Sequence, residues 1–141
     1  MTGGDVSADP PRFSRTFTAG SEHIDELGHV NNAVWVQWIQ DLATAHWNTA
    51  ARAEDRAAFY WVVVRHEIDY RGNIAIGEQA EGTTWIEGEA RGATSIRMVE
   101  FRDASGKPLV SAKTSWAMLD RKSGSPARVR PAILAPFRSA S

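Results

Sequence analysis

The sequence predicts an α+β domain in which one long central helix is wrapped by a curled antiparallel sheet of five or six strands. Three observations lead there. Residues 32–48 carry apolar side chains around more than half of a helical circumference, which demands cover on several sides. Beyond residue 60 the chain offers at least four strand-like segments in succession, separated by turn-forming residues. A further strand-like segment precedes the helix, and a single sheet can enclose a helix by curling around it.

Residues 1–11 are small and polar and end on two prolines, so a disordered arm is expected ahead of a domain at 12–137. "RFSRTFT" (12–18) alternates well enough for a first strand, and a polar loop follows at 19–31. From Asn32 to Asn48 the period becomes helical. Gln37, Gln40, Asp41, Thr44 and Asn48 form one narrow polar stripe, while Val34, Trp35, Trp38, Ile39, Leu42 and Ala45 face the other way. His46 falls within that apolar face, where a histidine is most often a satisfied core group. A polar link is expected at 51–56. Strands then follow at 61–70, 79–89, 93–103 and 109–119, with a loop at 71–78, a hairpin bend at 90–92 and a turn at 104–108. His66 and Glu67 point to opposite faces of the first of these strands. The proline-broken tail reads as extended chain or a short helix. An open sheet of this kind has two edges, and pairing with a second copy would protect one.

Composition narrows the function. At 141 residues the chain suits one domain with a real core. Its 16 basic and 17 acidic residues leave a net charge of −1, which gives no electrostatic case for nucleic acid or an anionic membrane surface. It has no cysteine, so disulfides, thiolate metal sites and a cysteine nucleophile are excluded. No apolar run approaches the roughly 20 residues of a membrane span, and the first residues lack the features of a signal peptide. A soluble, cytoplasmic protein is expected. Six tryptophans suit core packing, a flat apolar pocket or a subunit interface equally well.

The most informative stretch is "HIDELGHVNN" (23–32), which runs straight into "AVWVQWIQDLATAHW". "DELGHVNNAVWVQWIQD" resembles the Asp-x-x-Gly-His-Val-Asn-Asn signature of hotdog-fold thioesterases of the 4-hydroxybenzoyl-CoA thioesterase type, relatives of bacterial acyl-CoA and acyl-ACP thioesterases. "VVRHEIDYRGNIAIGE" resembles that family's second strand and following loop, and "SGSPARVRP" its closing segment. The resemblance spans residues 12–131. It implies a single hotdog domain that hydrolyses an acyl-CoA or acyl-ACP thioester without cofactor or metal, as a homodimer or a dimer of dimers. Two positions depart from the pattern. Many members have a polar Asn or Gly where Leu27 stands, and others a histidine or aromatic residue where Asn32 stands.

Thioester hydrolysis needs a base or nucleophile, donors for the developing oxyanion and a slot for the acyl group. Asp25 can activate a water or attack the carbonyl directly; as a loop aspartate it can equally cap local backbone. Gly28 lets the chain turn tightly into the helix. The unpaired N–H groups at the helix start, around Val30–Ala33, can form an oxyanion hole. The resemblance favours the amide of Asn32, while Asn31 or Asn32 can serve as the N-cap. His29 can polarise the carbonyl, orient water or protonate the leaving thiolate, or simply bond to backbone. His23, Asp25 and His29 lack any recognised metal-ligand spacing. Trp35, Trp38 and Trp61 are candidate walls of the acyl slot, with core or dimer packing as the alternative for each. Glu67 is a weaker catalytic candidate, and Arg71, Lys113, Arg128 and Arg130 are available for CoA phosphates. Two other functions compete. A hotdog hydratase would space Asp and His as Asp-x4-His around Asn-Pro, unlike Asp25 and His29. A non-catalytic acyl- or CoA-binding dimer is the reading that Leu27 favours.

Overall fold

The computed structural model describes residues 10–138; of the expected arm, residues 1–9 lie outside the described residues. Strand β1 (Phe13–Thr18) leads through a single 3-10 turn (Ser21–His23) to helix α1 (Asn32–Ala50), a short helix α2 (Ala53–Ala58) and strand β2 (Phe59–Tyr70). Strands β3 (Gln79–Arg91), β4 (Thr94–Arg102) and β5 (Pro108–Asp120) follow, and the tail closes with helix α3 (Pro131–Leu134) and a 3-10 turn (Ala135–Phe137). The five strands form one antiparallel sheet in the order β1–β3–β4–β5–β2, so β1 and β2 are its edges.

The central helix is as the sequence predicts, two residues longer at its end. Trp35, Trp38, Ile39, Leu42, Ala43 and His46 are buried, while Gln37, Asp41, Thr44 and Asn48 lie on the opposite, more open face. Its apolar face meets Val99, Phe101, Val110 and Ala112 from the concave side of the sheet. Close approach is possible because β3 carries Gly82 under the helix. A Cβ there would stand 2.7 Å from the Phe101 ring and 3.0 Å from Leu42 Cδ2, inside contact distance.

Two segments differ from expectation: β3 runs through Arg91, so the hairpin bend falls at 92–93 and not at 90–92, and a helix begins within the link after α1. The expected polar link at 51–56 contains the start of α2, whose first turn is acidic and is held by Arg52. The Arg52 guanidinium grips buried Asp55 through two hydrogen bonds, Nε to Oδ2 at 2.9 Å and Nη2 to Oδ1 at 3.0 Å. A bidentate pair three residues apart stabilises one helical turn that composition alone does not announce. The tail also does more than trail. Ile133, Leu134 and Phe137 join Met118, Ile86 and Val129 in a second apolar cluster around the far end of α1.

Candidate active site

The loop before α1 is a miniature hairpin. Asn31 N–H donates to His23 O at 2.9 Å, Ile24 and Val30 form a β-bridge, and Asp25 N–H donates to His29 O at 2.8 Å. The chain reverses over Glu26, Leu27 and Gly28, with Gly28 N–H on Asp25 O at 3.0 Å. Gly28 has φ +80, the left-handed position that a three-residue hairpin loop needs at its last residue. Leu27 lies at the tip and is 80% exposed.

Within this loop the Asp25 carboxylate is held by the backbone. Its Oδ1 accepts Leu27 N–H at 2.9 Å and His29 N–H at 3.2 Å, and among the described residues Oδ2 takes no hydrogen bond. The carboxylate is thus oriented while one oxygen is left over for other work. His29 is exposed at the base of the turn. His23 is structural: its Nδ1 accepts Gly20 N–H at 2.9 Å and its ring meets Trp38 edge-on at 5.3 Å. Among the described residues, His23, Asp25 and His29 do not assemble into a metal-binding group.

At the helix start the two asparagines divide the labour. Asn31 is the N-cap, its Oδ1 accepting Ala33 N–H at 2.8 Å, and its carbonyl accepts Val34 N–H at 2.9 Å. Asn32 N–H is the first-turn donor left without an acceptor among the described residues, at the positive end of a 19-residue helix. The whole loop is tied to the 71–78 segment by Asn73, which sequence reasoning missed. The Asn73 side chain accepts Val30 N–H at 3.1 Å and donates to Val30 O at 3.0 Å. A loop asparagine carries no periodic signal that would single it out.

The candidate pocket residues separate. Trp35 is fully buried and Trp38 nearly so, packed edge-on at 5.1 Å in the apolar core. Trp61 instead lines a cavity of about 240 Å³ between the C-terminal half of α1 and the sheet, together with Trp47, Ser95, Arg97, Trp116 and Phe137. Thr44, also on its wall, lies 12 residues beyond Asn32, about 18 Å along the helix axis.

This cavity holds the most unusual group of the molecule, also unforeseen. Arg97 is only 6% exposed, and among the described residues no carboxylate lies within ion-pair distance of it. Its Nη1 donates to His46 Nδ1 at 2.8 Å and to Thr84 Oγ1 at 3.1 Å, and Thr84 donates its own proton to Met98 O at 2.8 Å. Burial lowers the Arg97 pKa to about 10, which leaves it cationic at neutral pH. Burial first, and then the charges of Arg97 and Arg15, push His46 down to about 3, so His46 stays a neutral acceptor. Its ring is stacked on Phe13 at 4.7 Å and met edge-on by Phe137 at 4.7 Å. His46 is therefore the satisfied core histidine the sequence suggests. The signal for Arg97 is its register: on β4 it shares the inward face with Val99 and Phe101. The outward set, Ile96 and Met98, is equally apolar, and this hides the choice of face.

His66 is half-buried on β2, its Nδ1 2.8 Å from Thr114 Oγ1, and burial lowers its pKa. Glu67 is exposed on the same strand. Of the basic residues considered for phosphates, Arg71 pairs with Asp69 at 3.7 Å, Lys113 is exposed on β5, and Arg128 and Arg130 line a separate surface hollow.

The fold agrees with what is known of other chains. Residues 10–137 match the model of the acyl-ACP thioesterase N-terminal domain family. The molecule is a thioester hydrolase of the hotdog fold. It belongs to the acyl-ACP thioesterase N-terminal domain family. A search of curated protein sequences finds no significant match. Among solved structures it is similar to the 1,4-dihydroxy-2-naphthoyl-CoA thioesterase of Synechocystis, with TM-score 0.76, 14% identity and coverage of 90% of this chain and 96% of that one. It is also similar to a thioesterase of Thermus thermophilus complexed with coenzyme A and Zn, with TM-score 0.76, 21% identity and coverage of 89% and 90%. The 12:0-ACP thioesterase of Umbellularia californica matches with TM-score 0.77, 15% identity and coverage of 92%, but this chain spans only 51% of that protein's length. At such identities the likeness establishes the fold. Among the described residues no helix is long and apolar enough to cross a membrane.

Proposed function

We propose that residues 12–137 hydrolyse an acyl-CoA or acyl-ACP thioester to the free acid and thiol, with Asp25 as nucleophile or general base and Asn32 N–H in the oxyanion hole. The observation that carries this reading is the pairing within one short loop of a held carboxylate and an unclaimed helix-start donor. Asp25 is oriented through Oδ1 by two backbone N–H groups, and Asn31 caps Ala33 and so leaves Asn32 N–H unused. A thioester oxygen placed against Asn32 would meet a preformed dipole, the arrangement whose loss typically costs about 3–4 kcal/mol of transition-state stabilisation. His29, exposed beside Asp25, is the candidate to protonate the departing thiolate. The complex of the Thermus enzyme with coenzyme A makes CoA the carrier to try first.

The working unit in this reading is a homodimer, joined along the β2 edge. That strand is 12 residues long and exposes Val62 and Val64, with Val64 at 63%, next to a register shift in its pairing with β5. A long exposed apolar edge is otherwise an aggregation hazard. Sedimentation of wild type and Val64→Lys tests this: a dimer that the charge dissociates supports it, and a wild-type monomer rejects it.

The catalytic assignment is tested by thiol release from short, long and aromatic CoA thioesters, repeated with acyl-ACP. Asp25→Asn keeps the loop's acceptor oxygen yet should lower kcat by about 100-fold or more. Undiminished turnover in the variant would remove Asp25 from the chemistry. Silence of the wild type on both carriers would favour the acyl-binding dimer that Leu27 hints at.

A further inference from the structure

Two donors on the wall of the cavity at the far end of α1 have no acceptor among the described residues. Ser95 Oγ and Trp116 Nε1 are buried without a hydrogen-bond partner among the described residues, and both residues line it. They are opposite one another across the β4–β5 ladder, and Arg97 is the next inward residue after Ser95. Arg97 uses Nη1 for His46 and Thr84, and none of its other N–H groups has a partner among the described residues. Arg56 and Arg121 add two further cations to the wall, and no aspartate or glutamate among the described residues lines it.

Such a set is destabilising in isolation. The orphan hydroxyl and the orphan indole N–H forfeit their hydration, and the buried guanidinium of Arg97 lacks a counter-charge among the described residues. A purely hydrocarbon acyl tail in the cavity would leave all three unsatisfied, and an ammonium would be repelled. A carboxylate answers the whole set: it supplies the missing charge and about four acceptor sites in one plane, and a guanidinium binds it in a fork. The surrounding walls of Trp47, Trp61 and Phe137 suit the carbon skeleton that leads to it.

We propose that this cavity receives an acyl group whose far end bears a carboxylate, held by Arg97, Ser95 and Trp116. The inference deepens the thioesterase reading and rests on it for the substrate class, but the binding it claims can be measured without turnover.

The experiment has a binding arm and a kinetic arm, both on the full chain. Tryptophan fluorescence and calorimetry would compare carboxylates of graded chain length with their methyl esters and with inorganic phosphate. Each carboxylate should bind at least about ten-fold more tightly than its ester, and Arg97→Met should abolish that preference. Should Arg97→Met fail to fold, Trp116→Phe and Ser95→Ala carry the test, each weakening the carboxylate several-fold while leaving the ester unchanged. In the kinetic arm, kcat/KM for ω-carboxyacyl-CoA should exceed that for the matching acyl-CoA by about ten-fold, a ratio that Arg97→Met brings near unity. Equal binding of carboxylate and ester overturns the inference even if thioesters are hydrolysed, as does tighter binding of phosphate. Carboxylate binding that depends on Arg97 in a protein inert toward thioesters would uphold the site and sink the catalytic reading instead.

Discussion

The two halves of helix α1 face the same sheet in opposite chemical surroundings. Toward its start, Trp35, Trp38, Ile39 and Leu42 meet Val99 and Phe101 in a dry core. Toward its end, Ala43 and His46 meet Ser95 and Arg97, which lie on the same inward face of β4 that carries Val99 further along. One strand thus passes from apolar to polar without leaving the interior. The difference teaches where stability and specificity reside: the first half, although Trp35 Nε1 is also unpaired among the described residues, packs apolar groups and holds the fold closed, while the second keeps space and a polar, cationic lining at some loss of stability.

Substitutions can sharpen that contrast. The largest effect belongs to the apolar half. Phe101→Ala removes a fully buried ring beneath Trp35 and Trp38 and should lower unfolding free energy in urea by about 3–5 kcal/mol. A loss below about 1 kcal/mol would mean that this half is less tightly packed than its burial indicates.

At the polar half the next effect is one of pH. His46 takes up a proton near pH 6.5 in the unfolded chain but only near pH 3 when folded. Its contribution is therefore whole above pH 6.5 and declines as pH falls, by about 1.4 kcal/mol per unit, because the unfolded state binds the extra proton. Arg97 and Arg15 are the charges facing it. Between about pH 6.5 and about 4.5, wild type should lose roughly 2 kcal/mol more than His46→Gln, a difference that separates this group from carboxylates common to both. Parallel pH profiles would show that His46 titrates normally.

Gly82→Ala tests the close approach between the sheet that the halves share and the helix. Its Cβ meets the Phe101 ring and Leu42, so thermal unfolding should report a loss of about 1–3 kcal/mol. The smallest effect is the most telling. Ser95→Ala deletes a buried hydroxyl without a partner among the described residues, and without ligand it should change stability by less than about 0.5 kcal/mol or raise it slightly. A large loss would reveal a partner for Ser95 and blur the contrast between the halves.

Much of this was legible from residues alone. The 3.6-residue period of 32–48 and the strand-and-turn pattern after it determined a buried helix under a curled sheet, because periodicity records which face is wet. The "DELGHVNN" string likewise determined the thioesterase resemblance and pointed to Asp25, Gly28 and the helix start, since tight turns and caps are local and written in adjacent residues. What only the tertiary structure decided depends on residues far apart in the chain. Asn73 clamps Val30 across 43 positions, Arg97 meets His46 across 51, and Ser95 faces Trp116 through strand register. It also divided the tryptophans, sending Trp35 and Trp38 to the core and Trp61 to the cavity wall. Periodicity reports that a residue turns inward; which partner, void or unpaired donor it finds there is set by register and packing between elements, which no local pattern encodes.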